Sequence, residues 1–160
     1  MDESSRKRGE ADFITKVYMK AGLHSIRMAL GNEKFTVVMT MFGLYEYMIM
    51  PFGLTNALPT LQRRIIRILR QVLGLELLIN TWEDIYKDGG MVVVAYIDNI
   101  LIATKVSVEK HHQQVGKVFQ LFKDNDMCIE IDKCVFDSRE VPFLGFIVSG
   151  CKGIRLCMAS

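Results

Sequence analysis

Val92–Lys105 reads VVVAYIDNILIATK. Apolar, β-branched runs flank Asp98-Asn99, and Tyr96 stands two residues before the aspartate. Two such runs around turn-forming Asp and Asn predict a β-hairpin with its tip at Asp98-Asn99. One carboxylate and one amide at the tip of an apolar hairpin are explained by a plain turn. They are also what remains of a metal site that has lost half its charge.

Outward from this hairpin the chain alternates strand and helix patterns. DFITKVYMK alternates loosely and predicts a strand. FTVVMTMFGLYEYMIM predicts two strands around Phe42-Gly43. In PFGLTNALPTLQ, Thr55 or Asn56 can cap a helix that tolerates Pro59 in its first turn. Ile65, Ile66, Leu69, Val72 and Leu73 form its expected buried stripe, and Arg63, Arg67 and Arg70 line another face. Ser107 can cap a second helix, with Val108, His111, Val115, Val118 and Phe122 at helical spacing. MCIEIDKCVF and VPFLGFIVSG close the pattern as strands. Because several strands pair as hairpins, the expected class is α+β, with helices packed on one face of an antiparallel sheet. Residues 1–12 are expected to be a flexible segment. Residues 13–160 are expected to form one domain, with an insertion near 75–90.

Composition bounds the function. The 160 residues suffice for a real core, and half are hydrophobic, which excludes a disordered chain. A formal net charge of +2 is too small to argue for a polyanion partner by itself. No apolar run reaches the roughly eighteen residues a membrane span needs, so no membrane association is expected. Cys128, Cys134, Cys151 and Cys157 match no CxxC metal spacing and read as reduced thiols, and an intracellular setting, cytoplasm or nucleus, is expected.

Five stretches carry a family resemblance: ITKVYMKAGLHSIRM, YEYMIMPFGLTNALPTLQ, VVVAYIDNILIAT, DKCVF and VPFLGFIVS. In this order they resemble the reverse transcriptases of gypsy-type LTR retrotransposons, from about Phe13 to Arg155. The resemblance implies the fingers–palm part of a right-handed polymerase, its palm an antiparallel sheet backed by helices. It also implies a Tyr-x-Asp-Asp hairpin and a third aspartate on the N-terminal strand, together holding two magnesium ions for phosphoryl transfer.

At the matching positions Asp98 keeps the first hairpin aspartate, Asn99 replaces the second and Tyr18 replaces the third. A phenol stays protonated at neutral pH, and one carboxylate does not hold two divalent ions about 3.5–4 Å apart. Asp12 is a poor substitute, since six residues of extended strand place it about 20 Å from Tyr18. No metal is therefore expected to bind tightly and no cofactor is expected, although the ancestral family uses Mg2+. Leu23 stands where the family has an aromatic residue under the nucleotide sugar. Phe52, Gly53 and Gln62 fall beside nucleotide and template by resemblance, with Gly53 also explained by a turn. The basic fingers segment and the thumb that the family needs for synthesis are not recognised in the sequence. Between Gly53 and Tyr96 the chain is longer than the family by roughly fifteen residues, around Trp82 and Tyr86.

Three functions compete. The favoured one is a retrotransposon-derived module that no longer polymerises and binds nucleic acid or protein, with self-association through exposed palm surface left open. Here Arg63, Arg64, Arg67 and Arg70 are weighed as phosphate contacts against a merely solvated face. The second is a working RNA-directed DNA polymerase completed by an unforeseen acid. The third is a repurposed enzyme or small-molecule binder with a pocket drawn from Tyr18, His24, Trp82, Tyr86, Tyr96, Asp98 and Asn99. His111 and His112 invite a metal-ligand reading, but His111 shares the apolar stripe of its helix and reads better as a core histidine.

Overall fold

The computed structural model describes residues 13–73, 90–149 and 157–158. Strand β1 (Phe13–Tyr18) leads through a 3-10 turn at Leu23–Ser25 to a small hairpin, β2 (Val38–Thr40) and β3 (Gly43–Tyr45). Helix α1 (Ala57–Leu73) follows, then β4 (Met91–Tyr96) and β5 (Asn99–Thr104), then helix α2 (Val108–Asp124). The chain continues through β6 (Val135–Ser138), β7 (Glu140–Phe143), β8 (Phe146–Ser149) and β9 (Cys157–Met158). The central sheet has the order β4-β5-β1-β6, and all its pairings are antiparallel. The fold is the α+β class expected. The expected flexible segment at 1–12 and most of the insertion near 75–90 lie outside the described residues.

The central sheet is buried on both faces over most of its length, and this explains the near-continuous apolar reading of β4 and β5. Side chains alternate between faces. Val17, Val93, Ile100 and Ile102 meet Leu61, Ile65, Ile68 and Leu69 of α1 and Val115, Val118 and Phe122 of α2. Ile14, Val92, Leu101 and Ala103 pack instead on Val141, Phe143 and Val148 of the small β7–β8–β9 sheet. Helices thus cover one face, as the hydrophobic pattern predicts, and a second sheet covers part of the other.

Helix α1 starts where the capping residues place it, and the Thr60 N–H donates to the Asn56 carbonyl at 3.0 Å. Of its expected stripe, Ile65 and Leu69 are buried and Ile66 is half-buried; Leu61 and Ile68 complete the face. The side chains of Val72 and Leu73 lie outside the described set. Ser107 caps α2, accepting from the Lys110 N–H at 3.5 Å. His111, Val115, Val118 and Phe122 are buried as the spacing requires, and Val108 is half-buried.

Two strand assignments need correction. VPFLGFIVSG is a hairpin rather than one strand: Leu144 and Gly145 both take positive φ (53° and 82°), the two-residue turn that matches strand twist. In MCIEIDKCVF only the final Val135-Phe136 is strand, the start of β6, because Ile131–Lys133 closes into a 3-10 turn. The β2–β3 hairpin is an apolar lobe. Met39, Met41, Phe42 and Leu44 are each at least 70% exposed.

Candidate functional site

The site lies at the end of the central sheet on the face opposite the helices. Register brings three residues into one row: Asn99 pairs with Tyr96 across β4–β5 and with Tyr18 across β1–β5. Directly opposed residues share a face, so Tyr18 and Asn99, the two positions singled out by the resemblance, are neighbours. The Met19 N–H donates to the Asp98 carbonyl at 2.8 Å and fixes the hairpin tip against β1.

The tip itself is one residue earlier than the sequence suggests. The six-residue strands close with Tyr96 opposite Asn99, so the turn residues are Ile97 and Asp98, and Asn99 already belongs to β5. Ile97 has φ 54°. Positive φ at the first central residue alone is the turn pattern that normally takes glycine. A β-branched residue there costs on the order of 1–3 kcal/mol and needs its surroundings to impose it. Gln62 on α1 supplies part of that constraint. Its Oε1 accepts from the Ile97 N–H at 2.6 Å, and its Nε2 donates to the Ala95 carbonyl at 2.8 Å.

Asn99 Nδ2 donates to the single hairpin carboxylate, Asp98 Oδ1, at 2.9 Å. The same carboxylate holds the Tyr18 phenol above its ordinary value near 10, first through hydrogen bonding and then through its charge, with burial and Glu130 adding to the shift. Tyr18 is therefore a neutral donor at physiological pH. The cation at this face belongs to the chain: Lys133 Nζ sits 4.7 Å from the Tyr18 ring centroid and pairs with Glu130 Oε2 at 3.2 Å. Glu130 also donates its N–H to the Tyr18 carbonyl at 2.9 Å. Among the described residues no three His, Cys, Asp or Glu side chains gather as a metal site.

The other candidate residues are dispersed. Leu23 is turned into the helix-side core, 5% exposed, among Met19, Ala57 and Leu61. Phe52 is 75% exposed and meets His24 edge-on at 5.3 Å, a pair of its own. Gly53 has φ 97° with open space around it. Arg63, Arg67 and Arg70 are exposed on α1, but Arg64 points inward, donating to the carbonyls of Ser25 (2.6 Å) and Asn125 (2.8 Å). Trp82 and Tyr86, like Asp12, lie outside the described residues. Tyr96, half exposed, pairs with Asn99, which separates it from Tyr18 on the next strand. Cys128 and Cys134 carry free thiols.

Sequence reasoning missed Lys133 and Glu130. Their signal was the pairing of CIE with the end of β1, seen in the lone Met19–Ile129 bridge, which no local pattern announces.

Comparison with known proteins places this geometry. The fold matches a foamy viral protease-reverse transcriptase in complex with dsDNA (TM-score 0.73, 16% identity, 92% of this chain and 23% of that one). It also matches one in complex with an RNA/DNA hybrid (TM-score 0.70, 16% identity, 87% and 16%). At that identity the likeness concerns the fold. The sequence model of the reverse transcriptase (RNA-dependent DNA polymerase) family matches residues 2–148, and the chain belongs to that family. It is 34% identical over 149 residues to the retrovirus-related Pol polyprotein from transposon 297 of Drosophila melanogaster, covering 93% of this chain and 12% of that protein. It is 28% identical over 141 residues to the Pol polyprotein from transposon gypsy of the same fly (88% and 12%). The Tf2-7 transposon polyprotein of Schizosaccharomyces pombe is 33% identical over 144 residues (90% and 10%). The chain thus spans about a tenth of the length of these relatives. Among the described residues no helix is long and apolar enough to cross a membrane.

Proposed function

We propose that this chain is a reverse-transcriptase palm that no longer polymerises and serves as a binding or scaffold module. One observation carries the reading: Tyr18 lies directly across from Asn99, and Asn99 donates a hydrogen bond to the sole hairpin carboxylate, Asp98. The residues present do not fit the family's pair of magnesium ions. Magnesium needs hard, anionic oxygens. Here there is one hairpin carboxylate, and one of its oxygens already accepts from an amide. Completion by Glu130 would require it to leave Lys133, to which it is paired at 3.2 Å. The modest net charge and the apolar β2–β3 lobe favour a protein over a polyanion as the partner.

The test is calorimetric titration of Mg2+ and Mn2+ into the parent chain and into the Tyr18→Asp plus Asn99→Asp double variant, with primer extension on an RNA template run on both. The expected result is no saturable metal binding by the parent and clear Mn2+ binding by the double variant. Metal-dependent extension by the parent would overturn the proposal, whatever the variant does.

A further inference from the structure

Gln62 is half-buried on α1, and both the nitrogen and the oxygen of its amide bond one strained turn. Its oxygen accepts from Ile97 N–H at 2.6 Å and its nitrogen donates to the Ala95 carbonyl at 2.8 Å. These two backbone groups flank Tyr96, and Ile97 is the residue with φ 54°. The residues immediately downstream are Asp98 and Asn99. A side chain from a helix thus reads the backbone of the hairpin tip from the core side, while Met19 N–H holds the same tip from β1 by way of the Asp98 carbonyl at 2.8 Å.

We infer that Gln62 is the positioning residue of the hairpin tip: by bridging Ala95 and Ile97 it imposes the left-handed turn and so holds Asp98 in reach of Tyr18. The geometry leaves it little else to do. One donor hydrogen and the carbonyl oxygen of its amide are spent within the fold, and the other tip contacts, the Tyr96–Asn99 pairing, the Met19 bond to Asp98 and the packing of Ile97 on the helix-side core, leave the Ile97 N–H to Gln62. A plain hydrogen bond would have satisfied one backbone group. A bidentate one on residues two apart selects a backbone conformation, because both groups must point at the same amide at once. This inference deepens the reading of the site as a former metal hairpin and rests on it for its meaning, though not for its geometry.

Two arms keep the two ideas apart. In the first, backbone amide exchange is followed by NMR in the parent, Gln62→Leu and Gln62→Glu. Leucine keeps the volume and removes both bonds; glutamate keeps the acceptor for Ile97 and removes the donor. Ile97 N–H protection should fall about tenfold or more in Gln62→Leu, with Val93 and Ile102 protection unchanged, and be largely retained in Gln62→Glu. Unchanged Ile97 exchange in Gln62→Leu would overturn the inference, as would a uniform fall over the whole sheet. In the second arm, Gln62→Leu is added to the Tyr18→Asp plus Asn99→Asp background, and Mn2+ affinity should drop roughly tenfold, the size usual for residues that orient ligands. An unchanged Mn2+ affinity would mean that Gln62 does not position the tip. Absence of Mn2+ binding in that background would refute the reading of the site, and the exchange arm would still decide the role of Gln62.

Discussion

Replacing His111 with leucine should destabilise the protein through two threonines rather than through the histidine itself. His111 is fully buried between α2 and the sheet. Its Nε2 lies 2.8 Å from Thr15 Oγ1 and its Nδ1 2.8 Å from Thr104 Oγ1. A neutral imidazole has one donor and one acceptor, so it satisfies both hydroxyls without any charge. Thr15 and Thr104 are fully buried too. Leucine fills the space but strands both hydroxyls, although Thr15 Oγ1 keeps the Asp137 N–H at 3.4 Å as a weak donor. At about 1–3 kcal/mol for each stranded group, less some gain from the added apolar surface, the net loss is about 2–3 kcal/mol. Urea unfolding near pH 7.5, followed by circular dichroism, measures it. The triple variant His111→Leu, Thr15→Val, Thr104→Val should recover most of the loss. Burial holds the His111 pKa below its ordinary 6.5, with the Asp137 carboxylate (3.5 Å) opposing and His112 adding to the depression. The sign follows: below about pH 6.5 the unfolded chain takes up a proton that the native state resists, so stability falls as pH falls. This loss on acidification belongs to the parent and is absent in His111→Leu. A neutral His111→Leu substitution, or an identical pH dependence in parent and variant, would refute the reasoning.

Further outcomes follow from other contacts. Arg64→Met removes two charge-assisted bonds to the carbonyls of Ser25 and Asn125. It should cost about 2–3 kcal/mol by urea unfolding, whereas Arg63→Met, on the exposed face, should stay within about 0.5 kcal/mol. Gly22→Ala would set a Cβ 3.0 Å from Leu61 Cδ2, a side chain 1% exposed. A loss of about 1–2 kcal/mol is expected, and Gly22→Ala paired with Leu61→Val should restore part of it. Asp98→Asn should bring one tyrosine's spectrophotometric titration back toward 10, because the Asp98 hydrogen bond and charge are what raise Tyr18; an unmoved titration curve would show that the two groups do not interact.

Much of this fold was legible because its signals are local. Ser107 capping α2, the periodic Val115-Val118-Phe122 stripe and the paired apolar runs of β4 and β5 each declare themselves within a few residues. What was not legible depends on pieces far apart in sequence. The extra sheet covering Ile14, Val92 and Leu101 comes from Val141–Val148, and it is a hairpin only because Leu144 accepts a left-handed φ that its side chain disfavours. Gln62 reads from sequence as one more polar position on an amphipathic helix, and nothing local says that it meets a turn 35 residues away. The one-residue error in the hairpin tip has the same origin. Asp-Asn is the better local turn, and the β4–β5 register, set by matching buried residues on both faces, overrides it.

On the proposed reading, in which Tyr18 and Asn99 stand in for two carboxylates, the exchange is tolerated for a reason visible in the layering. The core surfaces of the sheet are formed by Val17, Ile100 and Ile102 on one side and Ile14, Leu101 and Ala103 on the other. Tyr18, Asp98 and Asn99 stand half-buried at the end of the sheet, outside both buried clusters. Three carboxylates at such an end repel one another unless metal neutralises them, so they lower the stability of the metal-free fold. On that reading, tyrosine and asparagine at two of the three positions remove the repulsion, and Asn99 adds a hydrogen bond to the remaining carboxylate. Both exchanges lie outside the buried layers. A fold can outlast its chemistry when the chemical groups are the strained part and the buried layers are not.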